Sequence, residues 1–272
     1  GTYVYRFYLA FHPASPMSWG AWILLLAYPA MGLLMLGSLS QVQWEGLVRR
    51  FAPVKWFAGL RDFALAHEKG VLWLALATGV LLGAYTGILL QTLVARPLWN
   101  SGLLGPLFLA SGISGAAAFF MLVERWRGSG EGRLPEPSEA LGLTGPGQSV
   151  GAVRQRRDES RLGLLRWDIG ALAVEAVLLG MLLIEKAGGP QVDRLSADLL
   201  LSGPFSGSFF GLVVVGGIAV PLAMEVAELV RGHARPGLAA PLLVLAGGFA
   251  LRAVLVAAGL VSGFALLAEG IA

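Results

Sequence analysis

The strongest constraint in the sequence is an unbroken apolar run, Val71 to Gln91 (VLWLALATGVLLGAYTGILLQ), with 21 residues and no charged side chain. A helix rises about 1.5 Å per residue, so about 20 such residues cross the roughly 30 Å hydrocarbon core of a bilayer. Five comparable runs accompany it. Spans are expected at about Met17–Leu39, Val71–Thr92, Leu103–Val123, Leu164–Ile184, Phe205–Leu229 and Leu238–Phe264. The expected fold is all-α, a polytopic transmembrane helical bundle of about six spans.

Composition agrees with that reading and narrows the chemistry. Only 14% of the residues are charged and 56% are hydrophobic, whereas a soluble domain carries about 25% charge. There is no cysteine, which excludes disulfides and cysteine-ligated iron–sulfur clusters or zinc within this protein. The three histidines, His12, His67 and His233, are far apart in sequence and do not suggest a bis-histidine haem. No bound metal or haem is therefore expected, and any electrons handled here reside on a partner or a diffusible carrier. The net charge of +3 does not point to nucleic acid. The basic residues lie in particular loops, where they report topology.

Four regions follow: an aromatic tail over 1–16 at the outer interface, three spans over 17–124, a polar loop over 125–162, and three spans over 163–272. Nothing near the start reads as a signal peptide. The connection 39–70 is amphipathic, and its segment Val54–His67 is expected to lie on the membrane surface as a short helix. The 125–162 loop, rich in Gly, Pro and charge, is expected to be mobile. Fifteen Lys and Arg residues fall in or at the edge of the connections after the first, third and fifth spans, against four on the opposite face. The positive-inside rule then places those three loops in the cytoplasm and both termini outside. On that topology Tyr85 sits in the outer half of the membrane, with Arg96–Asn100 and the Lys186–Pro204 loop facing outward.

Charged residues within spans cost about 2.5–3.5 kcal/mol on insertion scales and turn toward partners or water. Asp168 and Glu175, two helical turns apart, project from one face of their span; Glu225 and Arg252 lie in the last two spans. One reading is a buried ion pair of Arg252 with Glu175 or Glu225 that fixes the bundle. The other is a proton relay from the cytoplasm by Asp168 and Glu175, with Glu225 and Arg252 beside it. Tyr85 has two readings as well: a phenol satisfied on a neighbouring carbonyl, or a donor to a quinone carbonyl. His12 lies near the outer interface, where an imidazole can exchange a proton near neutral pH. Trp19 and five other tryptophans near span ends read as aromatic-belt anchors. The repeat Gly79–Gly83–Gly87 reads as a close-packing face.

Several strings together resemble the NrfD/PsrC family, the membrane subunits of polysulfide reductase-like and nitrite reductase-like respiratory complexes. They are PASPMSWGAWILL (Pro13–Leu25), GAYTGILL (Gly83–Leu90), RPLWN (Arg96–Asn100), PLFLASGISGAAA (Pro106–Ala118), GLVVVGGIAVPLAMEV (Gly211–Val226) and LVLAGGFALRAVLVAAG (Leu243–Gly259). The strings occur in family order over roughly residues 6–262. The resemblance implies a quinone- or quinol-reactive integral subunit of a prokaryotic inner membrane, using menaquinone or ubiquinone. It also implies an extracytoplasmic four-cluster iron–sulfur partner, itself feeding a molybdopterin subunit or a multihaem cytochrome. The family's quinone pocket is associated with a tyrosine of this kind, a role carried onto Tyr85, with His12, Trp19 and Asn100 as further candidates. Family members usually have eight or more helices, two of them before the PMSWG string. Here GTYVYRFYLAF is what stands in that region, so a truncated sequence or a lost helix pair is expected. In the second case His12 or a partner completes the pocket. A membrane anchor without quinone chemistry and an ion-coupled transporter are the alternatives; the latter predicts inverted repeats, and no internal repeat is visible.

Overall fold

The computed structural model describes residue 12 and residues 15–129, 150–231 and 237–263, side chains at 126–129 and 150–160 apart. Most of the 1–16 tail, the 130–149 part of the polar loop, and His233 lie outside the described residues. Within them the protein is all-helical. Nine helices carry the description: α1 (Pro16–Ser38), α2 (Gln41–Arg50), α3 (Ala58–Ala66), α4 (Glu68–Gln91), α5 (Leu104–Ser129), α6 (Val150–Gly188), α7 (Gln191–Leu201), α8 (Ser206–Arg231) and α9 (Ala239–Val261). Six of them, α1, α4, α5, α6, α8 and α9, are long and apolar enough to cross a membrane. They coincide with the six expected runs.

These spans turn large apolar side chains outward: Met35, Trp73, Trp167, Ile184 and Phe249 are all largely exposed. In water such surfaces would aggregate; here they mark the lipid-facing side of a bundle. The protein is a multi-pass membrane protein.

The connections depart from expectation in three places. The 39–70 connection contains an additional helix, α2, because Ser40 and Gln43 form a reciprocal capping box. Gln43 N–H donates to Ser40 Oγ at 3.2 Å and Ser40 N–H to Gln43 Oε1 at 3.1 Å. A 3₁₀ turn over Ala52–Phe57 and helix α3 follow. Helix α6 begins at Val150 rather than near Leu164, so the end of the loop expected to be mobile is helical. Its Arg, Gln and Glu residues are good helix formers and continue the span past the hydrocarbon. The Lys186–Pro204 connection, expected to be a loop, holds the end of α6 and all of α7.

The protein divides into two compact units. The first comprises residues 1–82 and 131–153, the second 83–130 and 154–272. In the first, α1 packs on α3, with Gly37 set against Ala64. Arg61 is buried there; its Nη2 donates to Leu39 O at 3.2 Å, and its guanidinium lies 5.4 Å from the Trp44 ring centre.

In the second unit α9 is the central packing element, lying on α8 and α5. Its contact with α8 is made by glycine: Gly217 and Gly247 meet backbone to backbone. The same mode joins α4 to α5, where Gly87 lies on the backbone of Leu104 and Gly105 and Gly83 on Leu109, as small residues do at close helix contacts. Gly79, one turn earlier in the expected close-packing repeat, has open space around it, so within each unit the repeat packs only through its later members. Residues Phe209–Ala219 of α8 are π-helical, with Val220 N–H donating to Val215 O, and a widened turn of this kind is uncommon outside functional or adapted segments.

Candidate functional site

The candidate residues fall into three places. His12 and Trp19 belong to the first unit, at the entry to α1. The His12 backbone N–H donates to Ser18 Oγ at 3.1 Å and its carbonyl accepts from Ser15 N–H at 2.9 Å. This turn leads into Pro16 at the first helical position, where a missing N–H costs nothing. His12 itself is exposed, and Trp19 is 50% exposed.

Tyr85 and Asn100 belong to the second unit. Tyr85 is half-buried on α4, between the two glycines that bring the backbone against α5. Among the described residues its hydroxyl has no hydrogen-bond partner. That is unusual for a phenol on an apolar helix, which normally finds an acceptor. Asn100 sits in the turn between α4 and α5, its side chain exposed. The turn is fixed at several points: Trp99 Nε1 donates to Leu255 O at 2.9 Å, the Arg96 guanidinium to Leu260 O, and Ser101 Oγ to Glu185 Oε2 at 2.8 Å. Lys186, only 2% exposed, donates through Nζ to Asn100 O at 2.8 Å and lies 3.5 Å from Asp193 Oδ1. The sequence alone does not single out Lys186, Glu185 or Ser101, because the lysine reads as part of an outer loop. A lysine two residues before a Gly-Gly-Pro break, next to a glutamate, is the available signal.

The third place is a polar cluster inside the second unit, assembled from four spans. Asp168 is fully buried, and Glu175 and Glu225 are nearly so. Ser114 Oγ donates to Asp168 Oδ1 at 2.6 Å, short as a bond to an ionisable carboxyl should be. Asp168 and Glu225 are side-chain neighbours across α6 and α8. One turn along α5, Ser111 sits between Arg252 and Glu175: Arg252 Nη1 donates to Ser111 Oγ at 3.3 Å, and Glu175 neighbours the same hydroxyl. Arg252 also donates to Gly248 O at 3.0 Å and Phe108 O at 3.2 Å, and lies 5.5 Å from the Phe108 ring centre. Its electrostatic counterpart is Glu175. The structure thus brings together Asp168, Glu175, Glu225 and Arg252 through two serines that the sequence reading does not include. Two hydroxyls three residues apart in an otherwise apolar span are the signal for them.

Further along α5, Glu124 Oε2 lies 3.5 Å from Arg161 Nε of α6. Separately, a groove of about 490 Å³ between α8 and α9, lined by residues such as Phe205, Leu212, Gly216 and Phe249, is apolar and holds none of the candidates. Among the described residues no group of His, Cys, Asp and Glu has the arrangement of a metal site.

Comparison with known proteins agrees with the strings. The family model described as "Polysulphide reductase, NrfD" matches residues 2–143. The protein is similar to the C subunit of polysulfide reductase from Wolinella succinogenes, with 30% identity over 252 residues, 90% of this sequence and 69% of that protein. It is similar to the NrfD homolog of Haemophilus influenzae, 32% identical over 136 residues, and to NrfD of Escherichia coli, 32% identical over 131 residues. Each of those two matches covers 42% of this sequence and 41% of the relative. No solved structure matches it. Six apolar helices, a family model covering just over half the residues, and an alignment along nine-tenths of the sequence establish that this protein belongs to the NrfD polysulphide reductase family.

Proposed function

We propose that this protein is the membrane subunit of a respiratory oxidoreductase of a prokaryotic inner membrane, and that it oxidises quinol or reduces quinone. The electrons pass to or from an extracytoplasmic iron–sulfur partner, which connects to a molybdopterin or multihaem catalytic subunit. The observation that carries the reading is Tyr85. It is a half-buried phenol with no hydrogen-bond partner among the described residues, on a helix narrowed by Gly83 and Gly87. Such a hydroxyl suits a donor to a ligand carbonyl. Family membership and the lack of cysteine support the division of labour, since this protein has no thiolates for a cluster.

Quinol oxidation yields two electrons and two protons, and quinone reduction consumes the same. Tyr85 would hold one carbonyl or hydroxyl oxygen of the ring by its O–H. Asn100 is a further candidate in the same unit as Tyr85, and His12 and Trp19 are candidates on the first unit. Protons would reach or leave the region through Asp168 and Glu175, with Arg252, Ser111 and Ser114 orienting the carboxyls and Glu225 beside them. The excess of Arg and Lys in three of the connections supports placing Tyr85 in the outer half, within electron-transfer reach of an external cluster.

The test is quinol turnover and quinone binding by the purified complex carrying Tyr85→Phe. Loss of affinity or turnover supports the pocket. Unchanged binding and turnover reject it and leave a membrane anchor. For the relay, Glu175→Gln in liposomes should preserve quinol binding and reduce charge movement; undiminished charge movement removes the relay from the proposal.

A further inference from the structure

We propose that Asp168 and Glu225 hold a single exchangeable proton between them, forming a one-proton binding site inside the bundle. The pair has this property whether or not the protein reacts with quinone.

Donors are short at this place. Asp168 and Glu225 are 0% and 1% exposed, so bulk solvent does not reach them. Ser114 donates to Asp168 Oδ1. The remaining three oxygens, Asp168 Oδ2 and both Glu225 oxygens, are buried without a donor among the described residues. Yet the two side chains lie at hydrogen-bonding range of each other. Two ionised carboxylates in contact have acceptors and no donor between them. Placing one proton there turns that contact into an O–H···O bond and provides a donor for one of the orphaned oxygens.

Charge leads to the same count. Two adjacent carboxylates in a buried interior are not both ionised, and a buried uncompensated charge is strongly unfavourable. The facing groups on every neighbouring element do not change this. From α5 comes Ser114, which is neutral. From α6 comes Glu175, a third carboxyl. From α8 itself comes Glu228, another carboxyl, one of whose oxygens accepts from Gly237 N–H. From α9 comes Arg252, which acts on Glu175 and hydrogen-bonds elsewhere. The cluster therefore has a surplus of acid groups, and the smallest cation that neutralises one is a proton. Among the described residues no group of carboxylates has the arrangement of a metal site.

The experiment is infrared difference spectroscopy of the full protein with the subunits that accompany it, comparing H₂O with D₂O. The expected result is a deuterium-sensitive band of a protonated carboxyl that is lost in the double variant Asp168→Asn/Glu225→Gln. A wild-type protein without such a band, or a band unchanged in the double variant, overturns the proposal. If the double variant fails to accumulate, the singles carry the test: each should shift or abolish the band, and a band unperturbed in both overturns it. Exchange of Na⁺ for K⁺ at constant ionic strength should leave the unfolding midpoint of the wild type unmoved. A midpoint that rises with Na⁺ identifies an alkali-cation site instead and also overturns it.

Discussion

Lys186 Nζ donates to the carbonyl oxygen of Asn100 at 2.8 Å, joining the end of α6 to the turn before α5 across 86 residues of sequence. The ammonium is buried, while its two carboxylate neighbours, Glu185 and Asp193, keep access to solvent. Replacing Lys186 by Met keeps the stem and removes the charge-assisted donor. The carboxylates remain hydrated, so the loss is that of a hydrogen bond from a charged group, about 1.5–3 kcal/mol. Thermal unfolding in detergent should show it, with Asn100 and its turn becoming more accessible to exchange; an unchanged midpoint contradicts the clamp.

Gly217 and Gly247 offer a sharper contrast. A Cβ on Gly217 would lie 2.6 Å from Gly247 Cα, whereas one on Gly79 meets nothing within 4 Å. Gly217→Ala must push α8 and α9 apart and should destabilise by about 1–3 kcal/mol. Gly79→Ala should be neutral or mildly stabilising, since alanine is the better helix former by about 1 kcal/mol. Equal effects of the two substitutions on the unfolding midpoint would contradict the packing described.

Arg252 hydrogen-bonds three acceptors from one guanidinium. Lysine carries the charge but not the planar fork. Arg252→Lys should therefore cost about 1.5–3 kcal/mol, the order of a lost bond from a charged group, and Arg252→Met more, because Glu175 then loses the cation that acts on it. Denaturation midpoints of the two variants in the order wild type, Lys, Met check this.

Tyr85→Phe deletes a hydroxyl without a protein partner among the described residues. Its effect on unfolding should stay within about 0.5 kcal/mol, whatever it does to turnover. A large loss of stability would mean that the hydroxyl is held by protein after all, and would return Tyr85 to ordinary packing.

The apolar runs determined the six spans, because the thickness of hydrocarbon leaves one length and one regular conformation for a stretch such as Val71–Gln91. The strings from PMSWG to LRAVLVAAG likewise carried the family. The seven-residue spacing of Asp168 and Glu175 placed them on one helical face, and α6 keeps both buried. What the sequence could not decide was partnership between helices. Whether Glu225 or Glu175 answers Arg252 depends on which spans are neighbours and how they are rotated, and hydropathy is nearly uniform around such helices. Ser111 and Ser114 became members of the cluster only when α5 was set between α6 and α9. Lys186 looked like a loop residue until α6 continued through it and the Asn100 carbonyl was brought to its ammonium. Helix existence is a local property of a run in lipid; the polar contacts of the bundle are set by close approaches such as Gly217 on Gly247, which only the folded protein makes.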